Sequence, residues 1–192
     1  MSGEAPVPAK KLEILKLAFD RFYDGGFHAT GIDTVMADSG ISKRTLYKYF
    51  PSKEDLIEAV LDQYGQGIAN AFFGPVMGAN SDAHQQILAC FDSRRMMLEA
   101  DRRGCLGIKA SQEYVGKHEG IASRGKALGF YVEQRFIEMC ERLEVSEPAV
   151  LGKQVAILFQ GALLLSQVYG NADPFVSAKA AVEILLENAA RQ

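Results

Sequence analysis

Lys43, Arg44, Lys48 and Lys53 fall within residues 42–53 of this 192-residue chain, and no carboxylate lies among them. Cations at that density neutralise phosphates, the interaction that dominates affinity for duplex DNA. The residues between them extend the same chemistry. Arg44 and Lys43 can donate to guanine edges, and the Thr45 methyl can touch thymine. Tyr47, Lys48 and Tyr49 suit phosphate contact, while Lys53 opens the next helix and adds its charge to the free N–H groups there. The whole chain carries a net charge of -3, so the nucleic-acid reading rests on where the charges sit. On spacing alone, a solvated helix face with cations in its last turn explains the segment equally well.

Other chemistries find little support. There is no Gly-rich phosphate loop, no metal-spaced histidine cluster and no nucleophile elbow, so neither an enzyme nor a bound cofactor or metal is expected. His28, His84 and His118 are scattered, and Cys90, Cys105 and Cys140 are odd in number and widely spaced. That pattern argues against a disulfide framework and for a reducing cytoplasm. No run of about eighteen uncharged apolar residues occurs, and no membrane span is expected. The richest stretch, Val155 to Tyr169, is interrupted by Gln160, Ser166 and Gln167. Residues 1–9 read as a frayed tail rather than a secretory signal.

The elements carrying the cationic segment are helical. Leu15, Ala18, Phe19 and Phe22 repeat at the spacing of one buried helix face, which stops at Gly25-Gly26. Thr30 with Asp33 predicts a capping box opening a short helix over 30–39, with Ile32, Val35 and Met36 inward. Gly40 ends it, Ile41 plugs the angle, and Ser42 caps a second short helix that Pro51 closes. Leu46 and Phe50 face inward on that helix, leaving Arg44 and Lys48 opposite. Two short helices about a Gly-containing turn make a helix-turn-helix. Ser52 with Asp55 opens a longer helix over 52–73, and the segment 74–81, beginning Gly74-Pro75, breaks the pattern. Further helices are predicted at about 82–102, 106–116, 119–144, 147–170 and 174–190. The fold class expected is all-α.

The run from Ile14 to Tyr64 resembles the DNA-binding region of TetR-family regulators. The resemblance is carried by Thr30-Gly31-Ile32-Asp33-Thr34-Val35, by Gly40-Ile41-Ser42-Lys43-Arg44-Thr45-Leu46-Tyr47-Lys48-Tyr49-Phe50 and by Ser52-Lys53-Glu54-Asp55-Leu56. It implies a helix-turn-helix DNA-binding domain over 10–51, followed over 52–192 by a linking helix and a helical ligand-binding and dimerisation domain. It also implies that Lys43, Arg44, Thr45, Tyr47, Tyr49 and Lys53 occupy DNA-contact positions, with Thr30 touching the backbone. Ser42 and Lys48 complete the expected set. Gly31 stands where many relatives carry a second threonine, and Lys48-Tyr49 where an aromatic-histidine pair is frequent. The partners implied are a double-stranded DNA operator, a second copy of the chain and a small-molecule inducer.

In the C-terminal part the apolar positions of the 147–170 helix extend around most of its circumference, so it must be covered on several sides. The resemblance implies that it and the last helix pair with their symmetry mates, with Leu158, Leu165 and Leu185 as candidate interface residues; completing a monomer core is the alternative. Phe91, Met97, Tyr114, Phe130, Gln134 and Gln160 are candidate pocket residues, mixing apolar bulk with a few polar groups. For each aromatic or methionine, plain core packing is the competing role. Cys105, in Arg102-Arg103-Gly104-Cys105-Leu106, has arginines nearby that can favour a thiolate. Its surroundings resemble a segment of several TetR-type regulators, some of which sense electrophiles or oxidants. A thiol-based repressor is therefore one alternative function, and a helical interaction protein without DNA binding is another.

Overall fold

The computed structural model describes residues 8–79, 82–101 and 103–190, and every regular element among them is helical. The tail expected over 1–9 lies outside the described residues, apart from Pro8 and Ala9. In chain order the helices are α1 (Ala9–Gly25), α2 (Ile32–Met36), α3 (Lys43–Tyr49), α4 (Lys53–Gly67), α5 (Gly74–Ala79), α6 (Ala83–Ala100), α7 (Leu106–Tyr114), α8 (Glu119–Cys140), α9 (Pro148–Tyr169) and α10 (Asp173–Ala189).

The chain divides into two compact units, and the division does not follow the order of the sequence. One unit holds the chain through Tyr64 together with Leu106–Lys126. The other holds Gly65–Cys105 and Ala127 onward. The first unit thus includes most of α4, α7 and the start of α8. In that unit Ile14, Ala18, Phe22, Phe27, Val35, Leu46, Leu56 and Ile57 are buried, and Phe19, Tyr23 and Tyr64 meet ring to ring.

Two expectations about helix ends are corrected. Thr30 does not cap α2: its hydroxyl donates to the Arg21 carbonyl at 3.2 Å, and Gly31 takes the N-cap position with no side-chain bond. The helix also ends earlier than expected, at Met36. The chain turns through Asp38 and Gly40, both at positive φ (59° and 67°), a region that aspartate tolerates and glycine enters without strain.

The segment beginning Gly74-Pro75 was expected to interrupt the helix, and it does not. A π-helical turn at Ile68–Phe73 joins α4 to α5, with the Gly74 N–H donating to the Ala69 carbonyl. The π turn widens the helix just ahead of Pro75, whose ring has no N–H and needs room against the preceding turn. The residues 80 and 81 of that segment lie outside those described.

The second unit is built on an aromatic cluster. Phe91 and Phe175 lie edge-on to Phe159 at 5.3 and 5.4 Å, and Phe136 is 5.2 Å from the same ring. Offset and edge-on rings pack well and add to the apolar area they bury. Gln86, 1% exposed, donates to the Met77 carbonyl at 2.9 Å and accepts from Arg142, so its amide is satisfied inside the core. Gly152 lets α9 cross α8 closely, since a Cβ there would fall 2.5 Å from the Ile137 Cα. By length and composition α9 is apolar enough to cross a membrane, but its inner face (Val155, Ala156, Phe159, Ala162, Leu163) belongs to this core.

Candidate nucleic-acid interface

The cationic helix is held from behind by its own apolar residues. Leu46 and Phe50 are buried, while Lys43, Arg44, Tyr47 and Lys48 are exposed on the opposite side. Ser42 caps α3 as expected, accepting from the Thr45 N–H at 3.1 Å, and its hydroxyl also meets the Thr45 hydroxyl at 2.9 Å. Tyr49 is half-buried with the Lys48 ammonium 5.9 Å from its ring centre, and Lys11 lies over the Phe50 ring. Behind the turn, the Ser39 hydroxyl donates to the Met36 carbonyl and accepts the Ile41 N–H, stiffening the approach to α3.

Lys43 is not a bare charge. Its ammonium lies 2.6 Å from the Asp33 carboxylate of α2. The hydrogen bond to Asp33, and then the charge of Asp33, raise the Lys43 pKa. The composition of residues 42–53 gave no sign of this, because the carboxylate comes from the preceding helix.

Lys53 heads α4, whose start is closed by the Ser52–Asp55 box: the Asp55 N–H donates to the Ser52 hydroxyl at 3.0 Å, and that hydroxyl donates back to the Asp55 carboxylate. The Lys53 ammonium donates to the His28 carbonyl at 3.4 Å. Thr30, expected to touch the DNA backbone, is 2% exposed with its hydroxyl turned to Arg21, so its side chain does not reach the surface.

Two polar attachments that the sequence did not announce complete this unit. The carboxylate of Glu113 on α7 accepts the backbone N–H groups of Phe27 and His28. Arg124 on α8 bridges Glu58 and Asp62 of α4, each at 2.9 Å. Their partners lie more than sixty positions away or have no local pattern, so no short-range signal could have marked them.

The candidate pocket residues are not brought together. Phe91 is in the aromatic core, Met97, Phe130 and Gln134 are exposed, and Gln160 is half-buried with its amide donating to the Gly129 carbonyl at 3.4 Å. Tyr114 belongs to the other unit, where His28 stacks on it. Among the described residues of the second unit, the buried Ser166 hydroxyl on α9 has no hydrogen-bond partner. Cys105 is half-buried against the core, and the Arg103 guanidinium is shared with Asp101 at 3.7 Å; Arg102 lies outside the described residues.

Of the three candidate interface residues, Leu165 is exposed, whereas Leu158 and Leu185 pack partly against their own core. Other exposed apolar positions include Ile157, Leu164 and Val168 on α9 and Val176 and Ile184 on α10. Their spacings of four, seven and eight are those of a second helical stripe, and that signal was present in the sequence.

Comparison with known proteins agrees with this geometry. Residues 14–60 match the family model described as bacterial regulatory proteins, tetR family. The HTH-type transcriptional regulator RutR of Escherichia coli is 38% identical over 96 residues, which cover 50% of this chain and 43% of RutR. The matched stretch thus spans less than half the length of that relative. The regulator UidR of E. coli is 25% identical over 166 residues, covering 83% of this chain and 78% of UidR. Among solved structures, SCO4454, a TetR-family transcriptional regulator from Streptomyces coelicolor, superposes with a TM-score of 0.87 at 25% identity, over 94% of this chain and 95% of that one. Residues 14–60 thus carry the DNA-binding segment described for bacterial regulatory proteins of the tetR family, and the chain as a whole shares the helical fold of a solved TetR-family regulator.

Proposed function

We propose that the protein is a sequence-specific transcriptional regulator that binds duplex DNA as a homodimer and is released from its operator by a small molecule. The observation that carries this reading is the exposed face of α3, where Arg44, Tyr47 and Lys48 stand opposite buried Leu46 and Phe50. A helix so mounted can enter a major groove, with cations for phosphates and donors for base edges. A location in the cytoplasm follows from that role.

The uncovered stripe of α9 and α10 supports the dimer, since five large apolar side chains on neighbouring helices form a surface that a second copy covers symmetrically. A two-fold protein places its two recognition helices on half-sites about 34–36 Å apart, or at multiples of that spacing. For the effector, the second unit offers an aromatic core and the unpartnered hydroxyl of Ser166. Release requires that the effector bind one arrangement of the dimer better than the other.

The decisive experiment is selection of bound sequences from a random duplex pool by the purified chain at low salt. The expected result is a pair of related half-sites at that spacing, with affinity falling steeply as salt rises. Retention of no duplex at low ionic strength overturns the reading and leaves the helical interaction protein in its place.

A further inference from the structure

The loop between α1 and α2 is gripped from both sides by residues distant in the chain. From α7, one Glu113 carboxylate oxygen accepts the Phe27 N–H at 3.2 Å and the other accepts the His28 N–H at 2.9 Å. The His28 ring nitrogen Nε2 lies 3.0 Å from the Glu113 carbonyl, and the ring stacks on Tyr114 at 4.5 Å. One turn back on α7, the Lys109 ammonium donates to the Tyr23 carbonyl at 2.6 Å. Gly26, which precedes the two N–H groups of Phe27 and His28, has a φ of +81°, a conformation that glycine enters without strain. The other end of the same residue is held as well, because the His28 carbonyl accepts the Lys53 ammonium.

We infer that Glu113 is a positioning residue for DNA binding, acting through His28 to hold the Lys53 ammonium at the start of α4. This inference rests on the DNA-binding reading above. The physical reason is entropic and electrostatic together. A lysine ammonium on its four-carbon stem loses rotamer freedom when a phosphate captures it, and a tether that restrains it beforehand reduces that loss. The His28 carbonyl provides such a tether only while His28 itself is held in place. Two N–H groups donating to one carboxylate fix it, and such charge-assisted bonds are about twice as strong as neutral ones. Helix α7 is thereby part of the DNA-binding unit, although it lies well outside the helix-turn-helix segment of the sequence.

The test is a double-mutant cycle on the full chain with Glu113→Ala, Lys53→Ala and both together. The probes are a labelled duplex recovered from a random pool by the wild-type protein and a random-sequence duplex of equal length. Glu113→Ala is expected to weaken binding to both by about tenfold, the effect of losing one charged hydrogen-bonded contact. The salt slope should fall by about one unit. Lys53→Ala should do the same, and the double variant should bind no worse than either single one. Hydrogen exchange should quicken at Phe27 and His28 while the amides of α3 keep their protection, which separates a loosened loop from an unfolded protein. Glu113→Gln, which keeps one acceptor oxygen, should recover part of the affinity, and it substitutes for the alanine variant should that one fail to fold. Additive losses, or unchanged affinity with exchange quickened at Phe27 and His28, overturn the assignment of Glu113 alone. A wild-type protein that retains neither duplex overturns the DNA reading itself, and this inference with it.

Discussion

The Lys43 ammonium and the Asp33 carboxylate, 2.6 Å apart, join the first residue of α3 to the first turn of α2 across the helix-turn-helix angle. Both side chains are largely exposed, so water and salt screen the pair and it adds little to stability. Its consequence is for binding. A phosphate approaching Lys43 must displace or tolerate Asp33, and the charge offered to any DNA is reduced accordingly.

Asp33→Asn releases that charge. Affinity for random duplex at low salt should rise about threefold, and the salt slope should steepen by up to about one unit. Fluorescence anisotropy titrations at several salt concentrations check this; an unchanged slope would show that Lys43 makes no phosphate contact.

Arg44 projects from the exposed side of α3. If it reads a base edge, Arg44→Ala should weaken binding to the selected operator by about 1–3 kcal/mol and relax preference at one position, with a much smaller loss on random DNA. Equal losses on both duplexes would assign it to the phosphate backbone.

Ile157, 69% exposed, and Leu164, 41% exposed, head the uncovered stripe of α9. Replacing both with glutamate places charges in the proposed interface while leaving the core face of α9 intact. Light scattering should show the mass halved, with helicity unchanged and operator affinity reduced because one recognition helix is lost. A dimer that survives both changes would move the interface elsewhere.

Burial pushes the Cys90 and Cys140 thiols up to about 12 from 9.0. Burial, followed by the charges of Glu54 and Glu113, pushes Tyr114 up to about 12 from 10.0. In each case the folded protein holds its proton more tightly than the unfolded chain does. The stability linked to these groups is therefore complete below the unfolded pKa and is lost as pH rises through the folded one. Melting temperature should fall progressively between about pH 9 and 12, and Tyr114→Phe should make that fall shallower. The same burial keeps both thiols protonated near neutral pH, so mild N-ethylmaleimide treatment of the native protein should label Cys105 first. A Cys105→Ser variant with unchanged release from the operator would dispose of the thiol-sensing alternative.

Local patterns in the chain were enough for the helices and most of their ends. Ser42 and the Ser52–Asp55 pair cap as their spacing predicts, because a cap is made by residues three positions apart. The inward set of Leu46 and Phe50 was legible for the same reason, since one helical turn places them on one face. Thr30 was misread because the Arg21 carbonyl, brought near by folding, took the hydroxyl that a local rule assigned to a cap. Pro75 was misread because a π turn, which no periodicity announces, absorbed it. Tertiary structure alone decided what reaches across the chain: Asp33 against Lys43, Glu113 against a loop some 85 residues earlier, and Arg124 against α4. Such contacts depend on where separate helices come to rest, which is settled by burying the apolar faces of the whole chain together.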